Sequence, residues 1–325
     1  MNRLMSWPEP VVRVQSLSEN GIGTIPDRYI KPISDRPALK SEIHDHLEVP
    51  VVNHGVSHEL MKRTRAVWRD FFELPLEVKQ QYANSPSTYE GYGSRLGIEK
   101  GAILDWSDYF FLNYLPVTLR NQSKWPAQPV SCRELVAKYG SQITKLCGRL
   151  LKAMSINLEL KEDYLQNAFG GDEMGACLRA NFYPKCPQPE LTLGLSSHSD
   201  PGAITILLPD PDVAGLQVRK GGKWITVKPF PNAFIVNVGD QIQVLSNANY
   251  KSVEHRVIVN SDKDRVSLAF FYNPKSDLLI EAAKELVNED RPALYKPMTY
   301  DEYRLYIRMN GPCGKTQIES MKSNR

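Results

Sequence analysis

The 325-residue sequence offers little sulfur chemistry: its five cysteines, Cys132, Cys147, Cys177, Cys186 and Cys313, are odd in number and form no C-x-x-C pair. That argues against a disulfide-stapled domain or a cysteine metal cluster and fits free thiols in a reducing compartment. Long hydrophobic runs are missing too. The longest, 203–208 and 234–238, fall far short of the roughly 20 residues needed to cross a bilayer, so no membrane segment is expected. Residues 1–8 lack the apolar stretch of a secretion signal, which points to a cytoplasmic protein with nuclear access open to it. An excess of one charge is also absent, with 40 basic against 37 acidic side chains and a formal net charge of +3. That balance argues against coating nucleic acid or an anionic membrane, and leaves small molecules as the expected partners with no obligate protein partner evident. What the chain does have is 42% hydrophobic residues over 325 positions, enough to bury one large core or two smaller ones.

Residues up to about 50, rich in proline and charge, read as an extended arm. From 58 to 82, Leu60, Met61, Val67, Phe71 and Phe72 recur at helical spacing, and the helix is expected to stop at Leu74-Pro75 because proline disfavours helix in the residue before it. A short helix over 77–82 and a glycine-punctuated loop over 88–97 follow. Leu135, Tyr139, Ile143, Leu146, Leu150 and Met154 form one stripe and predict a long helix over 132–158. After Gly175 the texture changes to short strands at 178–183, 203–208, 216–219, 224–227, 234–238, 241–245, 255–259 and 266–272, separated by turn residues such as Gly221-Gly222. About eight such strands predict a mainly β fold with a jelly-roll (double-stranded β-helix) core, supported by N-terminal and C-terminal helices. The tail turns helical again, with Thr299 and Glu302 as a capping box. The expected division is an N-terminal region over 1–130, a supporting helix region over 131–174, the jelly-roll core over 175–276 and a C-terminal helical segment over 277–325.

Among only six histidines, His198 and His255 stand out. His198 and Asp200 are two apart, on one face of an extended segment, and His255 begins a later strand. Two imidazoles and one carboxylate on one face of a metal make the facial triad of non-haem Fe(II) oxygenases. The plainer reading of His198-x-Asp200 is a satisfied polar pair. Arg265 and Ser267 share one side of a strand otherwise made of Val, Leu, Ala and Phe. A guanidinium facing a barrel interior is costly unless it meets an anion, so either a carboxylate ligand or a protein carboxylate is expected there. Asn181 and Tyr183, also two apart, offer polar contacts from a facing strand.

Together these motifs, with Tyr183-Pro184-Lys185-Cys186-Pro187, resemble the plant iron(II)- and 2-oxoglutarate-dependent dioxygenases. Trp7-Pro8-Glu9-Pro10, Tyr89-Glu90-Gly91-Tyr92-Gly93, Leu104-Asp105-Trp106-Ser107-Asp108-Tyr109 and Tyr303-Arg304-x-x-x-Arg308 most resemble the jasmonate-induced oxygenases, which hydroxylate jasmonic acid at C12. The resemblance implies Fe(II) held by His198, Asp200 and His255, 2-oxoglutarate held by Arg265 and Ser267 with Tyr183 and Asn181 assisting, O2 as oxidant and ascorbate as reductant. A jasmonate-like substrate, an apolar ring bearing a carboxylate, needs a greasy pocket with cationic anchors. Arg304 and Arg308, at i and i+4, share one helix face and with Arg179 would anchor that carboxylate. Phe111, Phe271 and Tyr300 are expected in the apolar wall. Such an enzyme would lower active jasmonate and restrain defence signalling. The rivals are a flavonoid-oxidising enzyme of the flavonol or anthocyanidin synthase type and a catalytically dead jelly roll that binds a carboxylate ligand. The sequence departs from the family near 36–51. There Leu47-Glu48-Val49-Pro50 runs directly into Val51-Val52-Asn53-His54-Gly55, as though a strand, a helix and a second strand were missing.

Overall fold

A computed structural model describes residues 6–37, 46–47 and 50–323. Most of the expected shortening near 36–51 therefore lies outside the described residues. The elements run α1 (Val14–Glu19), β1 (His46–Leu47), α2 (His58–Glu73), α3 (Leu76–Gln80), β2 (Gly91–Gly93), β3 (Asp108–Leu115), α4 (Cys132–Asn157), α5 (Tyr164–Ala168), β4 (Gly175–Tyr183), β5 (Leu195–His198) and β6 (Ile204–Leu208). The chain continues with β7 (Leu216–Lys220), β8 (Lys223–Val227), β9 (Ile235–Val238), α6 (Asp240–Leu245), β10 (His255–Val257), β11 (Arg265–Asn273), β12 (Leu279–Ile280), β13 (Met298–Thr299), α7 (Tyr300–Asn310) and α8 (Thr316–Ser320).

Two sheets face one another as a jelly roll. One has the order β1-β8-β7-β10-β5 and the other β2-β3-β4-β11-β6-β9, with a separate β12-β13 pair. Alternation along the strands assigns each side chain to a layer. From the six-stranded sheet, Leu178, Ala180, Phe182, Val266, Leu268 and Phe270 point outward into the main core. There they meet Trp68 and Phe71 of α2 and Tyr139, Ile143 and Leu146 of α4. The intervening residues point inward, where Leu207, Ile235 and Ala269 meet Leu216, Val218 and Val227 of the opposing sheet. Ser57 caps α2 by accepting from the Leu60 N–H, and Leu74 ahead of Pro75 ends it. The capping box of α7 is present, Thr299 accepting from Glu302 N–H while the Glu302 carboxylate accepts from Thr299 N–H.

Several elements differ from the sequence expectation. Residues 241–245 belong to α6 and are buried all round, so their apolar alternation cannot distinguish a strand from a short core helix. The N-terminal arm contains α1, which Asp108 holds through the N–H groups of Val14 and Gln15. The glycine-punctuated loop contributes β2, and β3 and β5 are further strands that the sequence reading did not place. The C-terminal segment begins with the β12-β13 pair before turning helical. No described helix is long and apolar enough to cross a membrane.

Candidate active site

Strands β5 and β10 pair antiparallel with His198 directly opposite His255, and Asp200 follows two residues after His198. The ring centroids lie 4.2 Å apart, and each Nε2 stands 3.7 Å from Asp200 Oδ1. The Nδ1 atoms face the carbonyls of Ser196 at 2.8 Å and Val253 at 3.2 Å. A carbonyl only accepts, so each Nδ1 carries a proton toward it and leaves Nε2 as the ring atom that faces Asp200. Asn237 Nδ2 donates to the other oxygen, Asp200 Oδ2, at 3.2 Å. Behind His198, Asp105 accepts from Ser196 N–H at 3.0 Å and from Lys31 Nζ at 2.8 Å, so an N-terminal lysine braces the segment that orients the imidazole.

Burial and the neighbouring His255 push the His198 imidazole down to about 4, keeping it neutral. Burial pushes the Asp200 carboxyl up, but His255 and His198, with Thr205 and Asn237, outweigh it and leave Asp200 below the usual carboxylate range. Two imidazoles and a carboxylate are the donor set that suits Fe(II), and all three ligand atoms lie within 4.8 Å of one another. His198, Asp200 and His255 are the one group of three or more such side chains among the described residues that could hold a metal.

Strand register assembles the second part of the site. Along the β11–β4 ladder Arg265 pairs with Tyr183, Ser267 with Asn181, Ala269 with Arg179 and Phe271 with Cys177. This whole column faces inward. Arg265 is 3% exposed, its Nη1 lies 3.3 Å from Ser267 Oγ and its Nε donates to the Val213 carbonyl at 3.2 Å. Its guanidinium carbon sits 5.1 Å from the centre of the Tyr183 ring. Among the described residues no carboxylate forms an ion pair with Arg265. Asn181 Oδ1 and Arg179 Nε, both buried, have no hydrogen-bond partner there either. One cavity is lined by His198, Asp200 and His255 together with Arg265, Ser267, Tyr183, Asn181, Arg179 and Phe271. Residues the sequence reading missed also line it. Thr205 and Asn237 bear on Asp200, and Leu195, Leu207, Leu216 and Val257 supply apolar wall. Their signal was the inward parity of β5, β6, β7, β9 and β10, usable only once the strands were paired.

The remaining expected substrate contacts, Phe111, Tyr300, Arg304 and Arg308, are not among the residues that line this cavity. Phe111 on β3 stands opposite Arg179, whose guanidinium lies 4.3 Å from the centre of the Tyr109 ring. Tyr300 is buried at the start of α7, and burial pushes its hydroxyl above the ordinary tyrosine range. Arg304 donates to Asp301 at 2.7 Å, while Arg308 donates to the Ser87 carbonyl and lies 5.0 Å from the centre of the Tyr89 ring. Tyr89 closes the contact by donating to the Arg308 carbonyl at 3.1 Å, and Trp7 meets the Tyr89 ring edge-on. In this structure the two helix arginines therefore hold separate partners.

Comparison with known proteins extends the geometry. The 2OG-Fe(II) oxygenase superfamily profile matches residues 174–274, and the profile described as "non-haem dioxygenase in morphine synthesis N-terminal" matches residues 34–128. Jasmonate-induced oxygenase 4 of Arabidopsis thaliana is 58% identical over 98% of this chain and 99% of its own length. That alignment runs over 349 positions, more than the 325 residues here, so the relative has residues without a counterpart in this chain. Flavanone 3-dioxygenase 2 of Oryza sativa subsp. japonica is 38% identical over 89% of this chain and 92% of its own. The crystal structure of JOX2 in complex with 2OG, Fe and JA superposes with a TM-score of 0.93 at 58% identity, covering 98% of this chain and 100% of that one.

Proposed function

Since this chain belongs to the 2OG-Fe(II) oxygenase superfamily and is a 2-oxoglutarate-dependent dioxygenase, we propose that it hydroxylates jasmonic acid at C12. When bound, Fe(II) with 2-oxoglutarate and O2 supplies the oxidation: the keto acid leaves as succinate and CO2, and one oxygen atom enters a substrate C–H bond. His198 Nε2, Asp200 Oδ1 and His255 Nε2 hold the metal on one face and leave the opposite face for the co-substrate. Arg265 binds the distal carboxylate of 2-oxoglutarate, with Ser267, Tyr183 and Asn181 completing its polar contacts. Arg179, Arg304 and Arg308 anchor the substrate carboxylate, and Phe111, Phe271 and Tyr300 receive the ring and side chain. The chain's contribution is position, since a strong oxidant attacks whichever C–H bond is held nearest. The conversion would lower active jasmonate and restrain defence signalling.

The observation that carries this reading is Arg265: a buried cation without a carboxylate partner among the described residues, opening into the same cavity as the histidines and Asp200. A guanidinium so placed is costly unless an anion reaches it from outside. Two further observations support the substrate, the 58% identity to jasmonate-induced oxygenase 4 and the likeness to JOX2 in complex with 2OG, Fe and JA. The test is to incubate purified protein with Fe(II), ascorbate, 2-oxoglutarate and either jasmonic acid or dihydroflavonols, following succinate and product by mass spectrometry. The expected result is 12-hydroxyjasmonate with equimolar succinate. Oxidation of dihydroflavonols alone would replace the substrate, and tight jasmonate binding without succinate would make the protein a binder.

A further inference from the structure

We propose that Asp240 is a positioning residue that ties the metal-binding segments to the substrate-binding helix α7; this rests on the functional reading above. Asp240 is 1% exposed and takes hydrogen bonds from three hydroxyl groups on three separate stretches of chain. Ser199 Oγ donates to Oδ2 at 2.9 Å, Tyr303 Oη donates to the same oxygen at 2.7 Å, and Ser252 Oγ donates to Oδ1. Each donor sits beside a group with a proposed role. Ser199 lies between His198 and Asp200, Ser252 lies three residues before His255, and Tyr303 precedes Arg304.

The backbone joins the same assembly. Asp240 N–H donates to the Asp200 carbonyl at 2.8 Å, Gly239 N–H to the Ala203 carbonyl at 2.8 Å and Gln241 N–H to the Gly202 carbonyl at 3.0 Å. The approach is so close that a Cβ on Gly239 would stand 2.2 Å from the Gly202 carbonyl oxygen. From the far side, Lys315 Nζ donates to the Ser252 carbonyl at 2.8 Å and to Gln243 Oε1 at 2.9 Å. Gln243 Oε1 also accepts from Ser252 N–H at 2.8 Å.

A buried carboxylate is an expensive way to fill a core, and well-packed apolar side chains would serve stability as well or better. What a carboxylate offers is several strong acceptor positions fixed by one rigid group. Here those positions fix the spacing of the segments carrying His198, Asp200 and His255 against α7. A displacement of α7 when a substrate carboxylate reaches Arg304 and Arg308 therefore passes, through the Tyr303 phenol and Asp240, to the backbone of Asp200.

The experiment uses the whole chain under anaerobic conditions, titrating Fe(II) in the presence of 2-oxoglutarate and reading the visible charge-transfer band of the chelate, with and without jasmonic acid. Tyr303→Phe removes one donor and leaves the ring, and Asp240→Asn replaces an acceptor oxygen with a donor of equal size. Tyr303→Phe is expected to keep the wild-type melting temperature within a few degrees. Its apparent Fe(II) dissociation constant should rise about threefold to tenfold, less than for loss of a group bonded directly to a metal ligand, and jasmonic acid should no longer perturb the band as in wild type. Asp240→Asn should show the same pattern more strongly; if it does not fold, Tyr303→Phe decides alone. A folded Tyr303→Phe protein with wild-type Fe(II) affinity and a wild-type response to jasmonic acid overturns the inference. A wild-type protein that gives no band overturns the functional reading instead, and the inference with it.

Discussion

On the floor of the cavity His198, His255, Arg265 and Ser267 stand on strands whose hydrogen-bonded neighbours fix where they point. At the proposed rim, Arg304 and Arg308 stand on a helix and reach loop and helix partners, and both are half-exposed. The floor residues have few alternatives: a pleated strand sends each side chain to one face, and the opposing sheet leaves no room to turn. The rim residues have several, because a long arginine on a helix surface exchanges an Asp301 carboxylate or a Ser87 carbonyl for another acceptor at modest cost. On the proposed reading, the difference divides the labour: the reaction common to the superfamily is built into the sheet register, and the choice of substrate is left to side chains that can change partners.

If that division is right, substitutions on the floor stop the reaction while those at the rim change what is turned over. The largest effect is expected for Asp200→Ala, which removes the anionic ligand and should abolish both Fe(II) binding by calorimetry and succinate release; appreciable turnover would break the comparison at its root. Arg265→Ala should raise the 2-oxoglutarate KM about a hundredfold, equivalent to about 3 kcal/mol, within the range for removing one partner of a buried charged contact. Wild-type kinetics would remove Arg265 from the co-substrate site. Smaller still, Arg304→Ala with Arg308→Ala should raise the jasmonic acid KM about tenfold, in line with ~1.5 kcal/mol for a charged hydrogen bond. Substrate-independent consumption of 2-oxoglutarate should survive in that variant, and its loss would show that rim and floor are not separable. The smallest change is Thr299→Ala, which breaks the capping box of α7. It should cost about 1 kcal/mol of stability, read as a melting temperature lowered by a few degrees, and should raise the KM for jasmonic acid more than that for 2-oxoglutarate.

The same division explains what could be read from the sequence. His198-x-Asp200 and Arg265-x-Ser267 were legible because a spacing of two on a strand fixes a shared face before any tertiary contact is known. Helices α2 and α4 declared themselves through long apolar stripes, and α7 through its capping box. Residues 241–245 misled because a short helix buried on every side carries no polar face to reveal its period. The partners of Arg308, and the convergence of Ser199, Ser252 and Tyr303 on Asp240, left no trace because each joins separate segments of the chain through single hydrogen bonds that impose no local pattern.

Placing His198 directly across from His255 gives the metal centre a parity rule. Sliding β5 past β10 by one residue would turn an imidazole to the outer surface of the sheet. Sliding it by two would restore the face but part the rings by a further ~6 to 7 Å along the strand. Competence to hold iron is therefore all-or-none with respect to strand alignment: an insertion or deletion that shifts either strand leaves no intermediate alignment in which a weakened centre persists.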